Sequence, residues 1–489
     1  MWWKIILILL ALFIIVTLIR AIFYKPKKIE GVKIEDADID ENKVAEHLSR
    51  AIQCKTISRS NPDEIDWSEF DKFHDFLDEA YPLIKQNTTK EKVSKASLIY
   101  RWKGKNPELE PMALLSHQDV VPVAEGTEND WTHDAFSGYN DGEIIWGRGA
   151  LDMKNHLICV MEAVESLMEE GFQPERDVYL CFGHNEEIVC SKESGADEIV
   201  KVLQSRGIHL DSVLDEGSAL LRLDVKGLIH TYIAAVGVAE KGYADMKLTV
   251  HDKGGHTSAA PKHSGMAKLA NMVQDIEKHQ FKSHMLPFLT ELFDTVGRKA
   301  TYLGRVVMCN VPLLKPIIKL VLKTIPESAS MVRTIQSISM CEGSPEPNVL
   351  PQRPNITVNF RPLPGDTVDD VEKHIRKAVR YKDLEVERLY SKEATAFSST
   401  DSRAFNAIKK VEEGLHPGDV AVAPYLVMGG TDSYRYGKIC DNILRYAPFN
   451  VSVALFLTTH ATDERCPISA LKESVIFFRE YIKEVSKKD

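Results

Sequence analysis

Positive charge is not in surplus in this sequence: 61 Lys and Arg face 71 Asp and Glu, a formal net charge of -10 at pH 7. A chain of that balance builds no large cationic surface, so nucleic acid is excluded as an expected partner. Cysteine is sparse and without pattern. The eight positions, Cys54, Cys159, Cys181, Cys190, Cys309, Cys341, Cys440 and Cys466, have no C-x-x-C spacing, and Cys159 and Cys181 lie inside apolar runs. They read as mostly free and buried, not as a disulfide framework. Internal repeats and low-complexity segments are missing too, which sets aside repeat architectures.

What is present is a globular composition over 489 residues, more than one ordinary core holds, so two domains and a short appendage are expected. The appendage is residues 1–24. Lys4 is followed by an almost unbroken apolar run from Ile5 to Ile19, then by Arg20, Lys25, Lys27 and Lys28. A basic start and an apolar core describe a secretory signal, and without a small-x-small cleavage site the run reads as an uncleaved signal anchor. The expected setting is the secretory pathway, with the body of the chain secreted or held at a membrane on the lumenal or extracellular side. Basic residues after the run outnumber those before it, and the positive-inside tendency favours the opposite orientation. Three N-x-S/T triplets, at Asn87, Asn355 and Asn450, permit glycosylation in a lumen.

Between about 45 and 241 short β-rich runs alternate with helical ones. Leu98–Tyr100, Met112–Leu115, Val178–Phe182 and Val213–Leu214 read as strands, and Ile158–Met168 as a helix stopped by Gly171. This order predicts an α/β fold, a mixed and mostly parallel sheet covered by helices. From 242 to 365 the character changes. Ala244–Val250 alternates, G-G-H-T-S follows, and Ile356–Phe360 reads as another strand closed by Pro362 and Pro364, which predicts an inserted α+β lid or dimerisation domain. Residues 366–489 then return to the catalytic domain.

The candidate chemistry lies just after the predicted strands, where ligand sites of open α/β sheets gather. His117 and Asp119 are two apart, so period-two geometry puts both side chains on one face. His117 can bind metal while Asp119 orients an imidazole. Asp152 follows the turn Gly147-Arg148-Gly149, where a carboxylate can bridge two metal ions or cap a helix. Glu186 and Glu187 are adjacent on a loop, so one can reach a metal and the other the attacking water. Two carboxylates held together raise the pKa of one, as a general base that later donates its proton requires. Asp215-Glu216 and His460 complete the set. Carboxylates and imidazoles without thiolates suit zinc or a similar divalent ion.

With H-x-D, G-R-G-x-x-D-M-K, E-E, D-E-G and a late histidine in this order, the chain resembles the aminoacylase and carboxypeptidase family of di-zinc metallopeptidases, the M20 type. Further matches are G-G-H-T-S at 254–258, N-V-L-P at 348–351, N-F-R-P at 359–362 and G-G-T-D-S at 429–433. Within the family it is similar to the branch of vacuolar carboxypeptidase S and secreted N-fatty-acyl-amino-acid synthase/hydrolase. The resemblance implies two zinc ions per chain held by His117, Asp152, Glu187, Asp215 (or Glu216) and His460. It implies Glu186 as general base and Asp119 as orienting residue. His256 would stabilise an oxyanion, reaching across a homodimer formed through the lid, and Asn348, Arg361, Gly429 and Gly430 would hold a substrate carboxylate. Asn185 departs from the acid usual before E-E, and Ala461-Thr462-Asp463 from the usual G-V-N, yet neither removes a ligand or the base.

The implied reaction is hydrolysis, with its reverse, of an amide bond next to a free carboxylate, in N-fatty-acyl amino acids or alternatively in short peptides. An inactive membrane-tethered binding module is the reading from another class. The run V-P-L-L-K-P-I-I-K-L-V-L-K-T-I-P at 311–326 bears on substrate. A helix starting near Pro316 has Lys319 and Lys323 on one face and apolar residues over most of the rest, a surface suited to a membrane, to an acyl chain, or to the core of the lid.

Overall fold

The structure is a computed structural model that describes residues 2–34, 38–188 and 194–488. Its centre is an eight-stranded sheet in the order Thr88–Val93, Ser97–Trp102, Val178–Gly183, Met112–His117, Ser212–Val225, Ile443–Val451, Ile229–Glu240, Val420–Val427. Met112–His117 runs parallel to both of its neighbours, and Ile443–Val451 runs parallel to Ser212–Val225. Every residue of Met112–His117 and of Val178–Gly183 is buried. Strands covered on both faces carry continuous apolar runs, which is why these two were legible.

The helix Lys154–Glu169 packs with Ile468–Ser486 over one face of the sheet, joining Leu157, Val160, Val164, Leu471, Phe478 and Tyr481 into the main core. Each such large apolar side chain contributes about 1.5–3 kcal/mol when fully buried. Gly195–Ser205 covers the other face through Ile199, Val200 and Leu203. The strand expected only at Val213–Leu214 runs from Ser212 to Val225 and turns back into Ile229–Glu240 as a hairpin. Six cysteines are buried, Cys341 is exposed, and all seven of these are free; Cys190 lies outside the described residues. Asn355, in the second glycosylation triplet, is 8% exposed within a strand.

A second, antiparallel sheet has the order Ile335–Glu342, Asn355–Arg361, Tyr243–Thr249, Glu385–Lys392. Ala244, Met246 and Leu248 alternate inward and meet Leu269, Met272, Val371 and Ile375 from the helices Gly265–Lys278 and Val368–Ala378. The expected boundary at 365 cuts through this sheet. Pro362 and Pro364 end one strand, but the helix and strand that follow add to the same sheet through seven paired positions from Glu385 to Lys392.

The helical part of the expected lid is also elsewhere. Pro287–Lys299 lies against the strand Val420–Val427, with Phe288 and Leu289 in the main core and Val296 and Ala300 packed with Ala421 and Ala423. Tyr302–Met308 and Val311–Leu322 follow it. The latter helix starts at Val311, with Pro312 in its first turn and Pro316 inside, one turn earlier than the sequence reading has it. The N-terminal helix Trp2–Phe23 contains an 18-residue stretch with a mean hydropathy of 3.1 and rests by its last turns on Tyr302–Met308.

Candidate metal centre and active site

His117 ends a buried parallel strand, so its ring is held among main-chain groups. Its Nδ1–H donates to the main-chain oxygen of Asp119 at 2.9 Å, which leaves Nε2 turned inward toward the neighbouring carboxylates. That nitrogen lies 2.9 Å from Asp152 Oδ1 and 3.5 Å from Glu216 Oε1. His460 Nε2 lies 3.0 Å from Asp152 Oδ2 and 3.1 Å from Glu187 Oε1. The result is two groups of potential ligands, His117 with Asp152 and Glu216, and Glu187 with Asp152 and His460, each with donor atoms within 4.8 Å of one another. Asp152 offers one oxygen to each group.

Asp215 is not among them. Its Oδ2 accepts from the Ser433 amide at 2.9 Å and its Oδ1 from the Glu216 amide at 2.9 Å. Adjacent residues of a strand point to opposite sides, and with Asp215 turned to Ser433 it is Glu216 that faces His117. Of the two acids the sequence offers as a ligand, Asp215 or Glu216, the second is the one grouped with His117 and Asp152.

Asp119 is fully buried, and its side chain gathers the loop of Glu186 and Glu187. Oδ2 accepts from Ser58 Oγ at 2.6 Å and from the Glu187 amide at 3.2 Å, and Oδ1 from the Glu186 amide at 3.1 Å. Burial opposes its ionisation, but His117, Ser58 and the Glu187 amide hold the carboxyl below its usual range. Asn185, where an acid was expected, accepts the Gly195 amide at 2.8 Å through Oδ1. Asp463, in the other departure, accepts from the Thr132 amide and hydroxyl at 2.7 Å.

Charge tests whether a divalent pair fits. Burial pushes Glu186 and Glu216 well above the usual carboxylate range, and neighbouring acids add to this in both cases. His460 is pushed up to about 10 by its bonds to Asp152 and Glu187. Such a field lacks cationic charge at its centre, and the donor set of two imidazoles and three carboxylates is one that zinc accepts. The residues fit the metal.

One organiser of the site escaped sequence reasoning. Glu464 is fully buried, and its Oε1 accepts from the amides of Gly149, Leu151 and Asp152 at 3.0, 2.9 and 3.1 Å, while Oε2 binds Arg148. It ties the glycine-rich turn to the segment of His460, whose own φ is 62°. The signal was an acid four residues after the last histidine, in a segment that otherwise reads as a polar turn.

The Glu186 side chain lines a cavity of about 60 Å³ with Lys241, Tyr243, Arg361, Tyr390, Lys392, Gly429, Gly430 and Asp432. Three of the expected substrate residues, Arg361, Gly429 and Gly430, are thus gathered beside Glu186. The Arg361 guanidinium lies 4.4 Å from the centre of the Tyr243 ring. Lys241 donates to the carbonyls of Ser330 and Arg333 at 2.9 and 3.0 Å, and burial with Arg361 nearby pulls it down to about 7. Under the glycines, Glu240 accepts from Arg445 at 2.7 Å, Lys392 at 2.8 Å and Thr431 at 2.9 Å. Burial opposes ionisation of Glu240, yet Arg445 and Lys392 bring it down to about 2. His256 and Asn348 are not in this cavity. Both are exposed in the second unit, held next to each other by the short pairing of Gly255–His256 with Val349–Leu350.

The sequence profile of peptidase family M20/M25/M40 matches residues 113–484. A carboxypeptidase S-like protein of Dictyostelium discoideum is 34% identical over 471 residues, covering 95% of this chain and 90% of that protein. The N-fatty-acyl-amino acid synthase/hydrolase PM20D1 of Mus musculus is 29% identical over 453 residues, covering 91% and 88%. Among solved structures, the M20 family metallo-carboxypeptidase Sso-CP2 of Sulfolobus solfataricus has a TM-score of 0.61 at 17% identity, covering 92% of this chain and 99% of that one. This last is a likeness of fold.

Proposed function

Because the chain belongs to peptidase family M20/M25/M40, whose members are metal-dependent hydrolases, we propose that it hydrolyses the amide bond of N-fatty-acyl amino acids, with two zinc ions and a free substrate carboxylate as requirements. The observation that carries this reading is the pair of ligand groups sharing Asp152 beside the cavity of Glu186 and Arg361. His117, Asp152 and Glu216 would hold one ion, and Asp152, Glu187 and His460 the other. Bound there, the ions would polarise the scissile carbonyl and acidify the attacking water.

Glu186 takes the proton of that water and passes it to the leaving nitrogen, and its raised pKa suits both halves of the transfer. Arg361 accepts the substrate carboxylate, with the Gly429 and Gly430 backbone as further donors. Run backwards, the same groups condense an acid with an amine. His256 and Asn348 reach the site from a second copy through the exposed face of the second unit, where His256 shares oxyanion charge. The helix Trp2–Phe23 serves as the membrane anchor.

The fatty-acyl preference is supported by the name of one relative. The name of the carboxypeptidase S-like relative favours a second reading, carboxypeptidase action, here taken to be on short peptides. Specificity constants for N-acetyl, N-lauroyl and N-oleoyl forms of one amino acid, beside a blocked dipeptide, separate the two. Each buried methylene is worth about 0.8 kcal/mol, so a rise with chain length is expected. A flat series, or a preference for the dipeptide, rejects the lipid reading and leaves the hydrolase. Absence of turnover on every substrate by the metal-loaded chain would mean a binding module instead.

A further inference from the structure

The helix Val311–Leu322 has two apolar faces where a soluble helix needs one. Val311, Leu314, Ile318 and Leu322 share the side that is buried or half-buried against the protein, whereas Leu313, Ile317, Leu320 and Val321, at helical spacing, form a separate stripe between 54% and 62% exposed. Lys315, Lys319 and Lys323 occupy the remaining face. The preceding helix adds Leu303 and Val307, 61% and 48% exposed.

The N-terminal helix sets the depth of this surface. Its 22 residues at about 1.5 Å each measure about 33 Å, close to the roughly 30 Å hydrocarbon core of a bilayer. It meets the body of the protein before its end. Tyr302 Oη donates to Leu18 O at 3.1 Å, Arg20 donates to Cys309 O at 3.0 Å and to Asn310 Oδ1 at 3.3 Å, and Thr17 and Ala21 are buried. Leu18 lies five residues before Phe23, about 7.5 Å along the axis. If Trp2–Phe23 fills the hydrocarbon layer, Tyr302 and Cys309 cannot stand clear of it.

We propose that Tyr302–Met308 and Val311–Leu322 form an in-plane membrane element of the hydrolase, with the Leu313, Ile317, Leu320 and Val321 stripe in the acyl layer and the lysines at anionic headgroups. The occupant of the stripe is bilayer lipid. Its continuity with the anchor and the cationic face beside it both favour this over a second copy of the chain. The proposal rests on Trp2–Phe23 spanning a membrane.

The test uses the full chain reconstituted into mixed phosphatidylcholine and phosphatidylserine vesicles, with and without bromine on the acyl chains. Leu320→Trp and, separately, Ile317→Trp each add one fluorophore to the stripe, and Leu322→Trp adds one to the inward face. The extra emission of the first two is expected to be blue-shifted and quenched several-fold more by brominated lipid than that of the third. Equal quenching at the three positions, or none at 317 and 320 in protein that resists alkaline extraction, overturns the in-plane element while leaving the span. Release of the chain by alkaline carbonate overturns both. Blue-shifted, unquenched emission with cross-linking between copies identifies a protein interface and overturns the proposal as well.

Discussion

Replacing Asp119 with Asn keeps the shape of the side chain and removes one acceptor and one charge. The carboxylate now holds the amides of Glu186 and Glu187 on separate oxygens, with Ser58 Oγ on one of them. An Asn has one oxygen, so in either orientation one main-chain N–H meets an NH₂ group. A buried donor without an acceptor costs about 1–3 kcal/mol. At about 1.4 kcal/mol per tenfold, the loop carrying base and ligand is held about 5- to 140-fold less firmly. That range overlaps the roughly 10–100-fold loss in metal affinity typical when an outer partner is removed. His117 is expected to keep its orientation, because its Nδ1–H donates to the main-chain oxygen at 119, which Asn retains. Chelator competition measures zinc affinity, turnover on an N-acyl amino acid measures the base, and thermal melting checks the fold. Wild-type affinity and wild-type turnover in D119N would refute the reasoning.

Glu186→Gln should keep fold and metal and lose at least about a hundredfold in turnover, the lower scale for losing a general base; near-normal turnover removes Glu186 from that role. Chelation should abolish hydrolysis and added zinc restore it, with close to two ions per chain by elemental analysis; full activity after exhaustive dialysis against chelator contradicts the metal reading. Glu412 is buried, its Oε2 takes no hydrogen bond and has only His416 Nε2 at 3.9 Å, and burial pushes its carboxyl up to about 7 from the usual 4.5. The folded state therefore holds the proton more tightly. This contribution to stability is fully present below about 4.5 and is lost as pH rises through 7, by about 3 kcal/mol in all. Glu412→Gln keeps an acceptor for the Tyr446 hydroxyl and should melt with a smaller drop between pH 5 and pH 8 than the parent; identical drops would refute the assignment.

Much of the site was readable because His117 ends, Glu186 follows and Asp215-Glu216 lie within strands whose apolar runs announce themselves. What could not be read depended on partners distant in sequence. Which of Asp215 and Glu216 faces His117 depends on a hydrogen bond from Ser433, 218 residues away. Glu464 declares its role only through amides more than 300 residues earlier. Prolines 362 and 364 end a strand without ending the sheet, which continues after an intervening helix, and nothing local in the sequence marks that continuation. The apolar run at 311–326 was recognised as amphipathic, but a proline in the first turn at 312 is as good a start as one at 316, and periodicity does not distinguish them.

The joining of Glu187 to His460 spans 273 residues, and this distance has a temporal meaning. A ribosome adding about 5–20 residues per second needs roughly 14–55 s to deliver the second half of the centre after the first. During that interval the nascent chain carries Asp152, Glu186, Glu187 and Glu216 with a single imidazole and no clamp on the glycine-rich turn. The ligand group that includes His460 is then the last part of the centre to be delivered in biosynthesis, made after His117, Asp152 and Glu216 are already in the chain.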